Sequence, residues 1–268
     1  MWKCVLLEEN MDIQIHKTAI VSDEAKIADN VKIGPYCTVG PQVTIGSGTV
    51  LESHVVLDGD TSIGVNNYIY SFVSIGKAPQ DIDYLNEHTK IIIGDNNKIR
   101  EFVTIHRGTE DKFETKIGNN CLIMAYVHIG NDCTIENNCI LGNNVTLTGH
   151  VYVEECAIIS ALTPVYENVH IGRHAMVGGA SYAFQDILPY TLAEGIKAKS
   201  VYINVVGLRR RGFSEEEIRN LKETYKIIFK RGLKLEEAIG QLNEKFPNDK
   251  NVDHIIKFIR KSKRGITR

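Results

Sequence analysis

Every sixth residue from Ile15 to Val177 is Ile, Val or Leu with few interruptions. Of these 28 in-phase positions, 25 carry one of the three side chains, and the exceptions are Asp81, Glu87 and Asp111. Four residues after each apolar position stands a small or β-branched one, for example Val31, Cys37, Val43 and Thr49, and later Val127, Cys133, Cys139, Val145 and Val151. A helix repeats every ~3.6 residues and loses a six-residue phase quickly, whereas a parallel β-helix of hexapeptides keeps it. The pattern predicts a solenoid of triangular coils, three hexapeptides and so eighteen residues per turn. Its stacked apolar rows bury one another, which is the main stabilising term at ~25 cal/mol per Å².

Two interruptions, residues 77–91 and 107–116, bring in charges, Gly and Pro. They predict loops that leave the prism, and loops on a rigid scaffold commonly carry function. After Val177 the phase fails, and residues 180–213 read as a connector. Ser214-Glu215-Glu216-Glu217 is a capping box that opens a helix with Ile218, Leu221, Tyr225 and Ile228 on one face and Gly232 as its stop. Helices are also predicted at 234–246 and 252–262. The chain thus divides into an N-terminal extension (1–12), a β-helix (13–190), and a connector with a C-terminal helical domain (191–268).

Net charge is −2, but residues 197–268 hold 19 Lys+Arg against 9 Asp+Glu, leaving the remainder acidic. A basic end suits an acidic partner or an anionic ligand. No run of eighteen apolar residues exists, so no transmembrane segment is expected, and MWKCVLLEEN has too short an apolar core for a signal peptide. A cytoplasmic location follows as the expectation, with Met11 as an alternative start. Six cysteines without a CxxC pair argue against a disulfide scaffold or zinc ribbon. Cys37, Cys121, Cys133 and Cys139 share one place in the repeat and read as core.

Residues eighteen apart stack about 4.8 Å from each other in such a coil. Asn131 then shares a column with Gly149 and Glu167, and Asp132 one with His150 and Asn168, while His106 can approach the same edge. The polar strip comprises His128, Asn131, Asp132, Gly149, His150, Tyr166 and Glu167. A histidine, an amide and a carboxylate within five residues are either a proton-transfer site or a surface rung with Asn131-Asp132 in a tight turn. Flat-sided prisms pair well, and threefold symmetry suits a triangular one. His106, His128 and His150 are either ligands for a zinc-type ion between subunits or histidines satisfied at a subunit face.

Five strings, TIHRGT (104–109), the VHIGNDCT region, NNVTLTGHV (143–151), HAMVGG (174–179) and GLRRRGFS (207–214), resemble one family. It is the acyl-[acyl-carrier-protein]:UDP-N-acetylglucosamine O-acyltransferase family of lipid A biosynthesis (LpxA), and the likeness runs from about Ile13 to Arg268. The resemblance implies an all-β left-handed parallel β-helix with an α-helical cap, in a homotrimer with sites between subunits. It also implies transfer of a 3-hydroxyacyl group from acyl carrier protein to the sugar 3-hydroxyl of a UDP-amino sugar. Acyl carrier protein, a co-substrate, is the acidic partner; no nucleic acid, cofactor or metal is implied.

By the same resemblance, His128 and His150 line the site and the Gly149 N–H faces the oxyanion. Asp81 and His106 help to hold substrate, Asn204, Arg210 and Arg211 lie near the nucleotide, and Gly179 leaves room for the acyl tail. Five positions depart from the family pattern: Asn131 stands where the general-base histidine is usual, Tyr166 for a histidine, Glu167 for a glutamine, Val206 for a glutamate and Asp83 for a lysine. Two readings follow: an acyltransferase in which His128 or His150 is the base, or an inactive paralogue that binds or regulates.

Overall fold

The computed structural model describes residues 13–267; the N-terminal extension and the alternative start lie outside them. Three parallel sheets form the walls of a triangular prism. The first sheet contains eleven strands, and the second and third contain eight each. Most strands are two residues long, because each hexapeptide spends its other residues on a corner. In the regular part, partners are eighteen apart, as in Ile15 opposite Ile33, His128 opposite Thr146 and Thr134 opposite Tyr152.

Both loops keep this phase for a simple reason. Across the first, Tyr68 pairs with Lys98, thirty residues on, and across the second Thr104 pairs with His128, twenty-four on. The excesses over eighteen are twelve and six, whole numbers of hexapeptides, so each strand re-enters with its apolar side inward. The three in-phase exceptions all fall in these excursions. The loops are shorter than expected: Lys77, Lys90 and Ile91 belong to strands, as do Glu114, Thr115 and Lys116.

A single apolar core runs from Val31 to Ala198 along the prism axis and includes Cys37, Cys121, Cys133 and Cys139. Burial pushes the Cys133 thiol up to about 12, so it stays protonated and inert. Corner residues often adopt a left-handed backbone, with Asp132, His150 and Asn168 lining one corner at φ 57°, 59° and 59°. Gly130 meets a tighter demand, since a Cβ there would lie 2.0 Å from the Thr148 carbonyl oxygen.

The supposed connector is more ordered than the sequence suggests. Ala183 bridges Val165, Ile187 bridges Ile171, and a strand at Thr191–Glu194 pairs with Met176–Val177. The last two steps span sixteen residues rather than eighteen, so a strict six-residue count misses this final coil. Lys199–Ile203 then adds antiparallel and closes the sheet, moving the prism boundary beyond residue 190.

Four helices follow: α1 (Val205–Arg210), α2 (Glu215–Phe229), α3 (Leu235–Lys245) and α4 (Lys250–Lys261). α1 is not evident from the sequence pattern; Asn204 caps it by accepting from the Gly207 N–H. The Ser214–Glu217 capping box is present, and α2 buries Ile218, Leu221, Tyr225 and Ile228 as the spacing predicts. These helices pack around their own core. No helix among the described residues is long and apolar enough to cross a membrane.

Candidate functional site

The predicted polar column lies at the corner between the second and third sheets, and Asp132 is its fixed point. Its side chain is fully buried. The Thr109 N–H donates to both carboxylate oxygens at 3.0 Å, the Thr109 hydroxyl donates to Oδ2 at 2.7 Å, and Asn131 Nδ2 donates to Oδ2 at 3.0 Å. Lys112 Nζ holds the Asp132 carbonyl at 2.8 Å, and the Asp132 N–H donates to Thr115 Oγ1 at 3.0 Å. Both oxygens of this buried carboxylate therefore have hydrogen-bond donors, as a buried polar group requires. Thr109 and Lys112 come from the second loop; sequence reasoning missed both, since loop contacts follow no repeat.

Asn131 takes the polar place beside Asp132 without basicity, because an amide donates a hydrogen bond but does not accept a proton at neutral pH. One coil on, the His150 N–H donates to the Asn131 carbonyl at 2.9 Å. His150 Nε2 stands 3.7 Å from Asp132 Oδ2 and 3.6 Å from Asp111 Oδ2. Its side chain is only 13% exposed. The Gly149 N–H donates to no group among the described residues. Glu167 completes the column as an exposed residue. Imidazole, carboxylate and a free backbone donor therefore meet at one corner.

His128 lies on the wall of the second sheet. Its Nδ1 is 2.8 Å from Thr104 Oγ1, and its ring contacts His106 at 5.2 Å between centroids. Burial, reinforced by nearby His106, holds its imidazole down at about 4, so it is neutral at pH 7 and a weak base. His106 Nδ1 bonds the Ala78 carbonyl at 2.7 Å and pins the start of the first loop. Arg107 pins its middle, with Nη1 on the Gly76 carbonyl and Nη2 on the Tyr84 hydroxyl. Asp81 is on this loop, accepting from the Asp83 N–H, and is exposed.

Of the other predicted residues, Tyr166 shares the corner between the second and third sheets, and the rest occupy different ones. Asn204 Nδ2 bonds the His174 carbonyl and Arg211 Nη2 bonds that of Asn138, both at the corner between the third and first sheets; exposed Arg210 ends α1 nearby. Gly179 lies at the corner between the first and second sheets, its absent Cβ 3.3 Å from the Ala161 carbonyl. Tyr166 packs on Phe184 with the Arg264 guanidinium 5.3 Å over its ring, so it serves contact with the cap. Among the described residues no three His, Cys, Asp or Glu side chains converge to hold a metal ion.

Comparison with known proteins supplies the family. Residues 186–267 match the model described as UDP N-acetylglucosamine O-acyltransferase, domain 2, and residues 24–59 and 114–149 match the bacterial transferase hexapeptide repeat. An acyl-[acyl-carrier-protein]–UDP-N-acetylglucosamine O-acyltransferase of Myxococcus xanthus is 47% identical over 256 residues, covering 95% of this chain and 99% of the relative. The solved UDP-N-acetylglucosamine O-acyltransferase of Moraxella catarrhalis superimposes with a TM-score of 0.93 at 43% identity, over 95% of this chain and 99% of that one. The Francisella novicida UDP-N-acetylglucosamine acyltransferase gives a TM-score of 0.93 at 40% identity, over 95% and 94%. The fold is the left-handed β-helix of hexapeptide repeats with a helical cap.

Proposed function

The chain belongs to the acyl-[acyl-carrier-protein]–UDP-N-acetylglucosamine O-acyltransferase family, and from that premise we propose that it is an active transferase whose general base is His150. It moves a 3-hydroxyacyl group from acyl carrier protein to the 3-hydroxyl of UDP-N-acetylglucosamine. The observation that carries this reading is the position of His150, largely buried, with Nε2 3.7 Å from the buried carboxylate of Asp132. His128 is the weaker candidate, since it is tied to Thr104 and held at about 4.

In the reaction the sugar O–H gives its proton to His150 while its oxygen attacks the thioester carbon. The Gly149 N–H stabilises the oxyanion; the carbon–sulfur bond then breaks and the thiolate recovers the proton. Such donors act mainly by being fixed before charge develops.

The corner positions also support a homotrimer. The catalytic column and the nucleotide set lie at opposite edges of the third sheet, so one copy does not close a site around a single sugar nucleotide. In a closed ring of three, the catalytic corner of one prism meets the nucleotide corner of the next when the corner between the first and second sheets points to the axis. That corner carries an exposed ladder, Tyr36–His54–Phe72–Phe102–Tyr126, with successive rings stacked 4.8–5.0 Å apart. The basic helical end suits acyl carrier protein, and soluble co-substrates fit a cytoplasmic enzyme.

The test is product formation from UDP-N-acetylglucosamine and 3-hydroxyacyl carrier protein, read by mass spectrometry. Wild-type protein is expected to form the 3-O-acyl sugar. Product only after Asn131→His would assign the chain a binding role instead.

A further inference from the structure

The second loop contributes one more group to the catalytic corner. Asp111 is an in-phase position lifted out of the prism by the six-residue excursion, and it hangs between two anchors, Thr109 and Lys112, that both bind Asp132. Its Oδ2 lies 3.6 Å from His150 Nε2, the same nitrogen that stands 3.7 Å from Asp132 Oδ2.

The two carboxylates are not equivalent. Asp132 Oδ2 already accepts from the Thr109 N–H, the Thr109 hydroxyl and the Asn131 amide. It has little capacity left for an imidazole. Asp111 makes no other hydrogen bond or ion pair among the described residues, and its side chain is 70% exposed. A small rotation closes its contact to a hydrogen bond, and catalytic contacts of this kind commonly tighten only when substrate is bound.

We propose that Asp111 is a positioning residue for His150, an inference that rests on the reading of His150 as the base. By accepting the Nε2 proton it fixes the tautomer whose Nδ1 lone pair takes the proton of the sugar hydroxyl. The chain has thereby moved its base–carboxylate pair from residues 131 and 132 to residues 150 and 111. The proton that enters at Nδ1 leaves again to the thiolate, while Asp111 goes on accepting from the Nε2–H, as an orienting carboxylate does.

The experiment compares Asp111→Asn in two backgrounds, with Asp111→Glu and Asp111→Ser as companions and with oligomer mass and circular dichroism recorded for each. In the wild-type chain Asp111→Asn is expected to lower kcat by about 10- to 100-fold while KM for both substrates moves less than about threefold. Asp111→Glu should recover most of the loss and Asp111→Ser none. In the Asn131→His background, where a base again adjoins Asp132, the loss from Asp111→Asn should shrink to less than about threefold. A merely structural role would depress both backgrounds alike. Equal losses, or a wild-type kcat indifferent to Asp111→Asn while His150→Ala abolishes turnover, overturn this inference and leave the function standing. A wild-type protein with no turnover overturns both.

Discussion

Asp132 and its neighbours show what a single residue does here. Its carboxylate is buried and held by Thr109, so Thr109→Val removes the hydroxyl donor while keeping the shape. That change should destabilise the fold by about 1–3 kcal/mol in urea titration, and should reduce kcat because the column loses its fixed point. His128 offers a contrast in pH. Its folded value, about 4, lies below the value of about 6.5 for an unfolded chain, so the neutral ring contributes stability above pH ~6.5 that is lost as pH falls toward 4. His128→Gln should therefore flatten the pH dependence of stability in that window, as followed by thermal denaturation. Asn131 is visible in the sequence as a departure, but its donation to Asp132 is not, because no spacing fixes which way an amide points.

At the scale of elements, the stacked rung is the unit of stability. Ile129 is fully buried between Ile105 and Leu147, so Ile129→Ala should cost about 2–5 kcal/mol through lost burial and the cavity left behind. The helical cap is locked to the prism by Glu154, whose Oε2 meets His254 Nε2 of α4 at 2.8 Å and whose Oε1 lies 2.9 Å from His170 Nε2. Burial alone would raise the Glu154 carboxyl, but the close imidazole of His170 and the hydrogen bond from His254 prevail and hold it down to about 2. Because that is below the unfolded value of ~4.3, the lock stabilises the protein above pH ~4.3 and weakens as pH falls toward 2. Glu154→Gln should lower stability at pH 7 and make it less sensitive to acid in that range, as acid titration by circular dichroism would show.

The prism was legible in the sequence because a six-residue repeat leaves no alternative, and even the loops preserve it by adding whole hexapeptides. The final coil escaped because its steps shorten to sixteen residues, and α1 because six residues are too few for a periodic pattern. The column of Asn131, Gly149 and Glu167 beside Asp132 and His150 followed from the eighteen-residue turn. Thr109, Lys112 and Asp111 did not, since a loop returns to the prism at a distance that no period sets; the one signal was that Asp111, like Asp81 and Glu87, breaks the in-phase row of Ile, Val and Leu.

For the whole molecule, the spread of candidate residues over three corners makes assembly part of the proposed chemistry. Tyr126 and Leu162, 55% and 61% exposed, share the corner assigned to the axis. If the proposed trimer forms through this corner, Tyr126→Glu with Leu162→Glu should yield monomers in light scattering and abolish turnover, while each prism keeps its circular dichroism.

The most direct measurement is kcat for wild type, His150→Ala and His128→Ala, with UDP-N-acetylglucosamine and 3-hydroxyacyl carrier protein saturating. If His150 is the base, wild type turns over, His150→Ala loses about 10²- to 10⁴-fold, and His128→Ala loses far less. Turnover that survives His150→Ala, or that requires Asn131→His to arise at all, would contradict it.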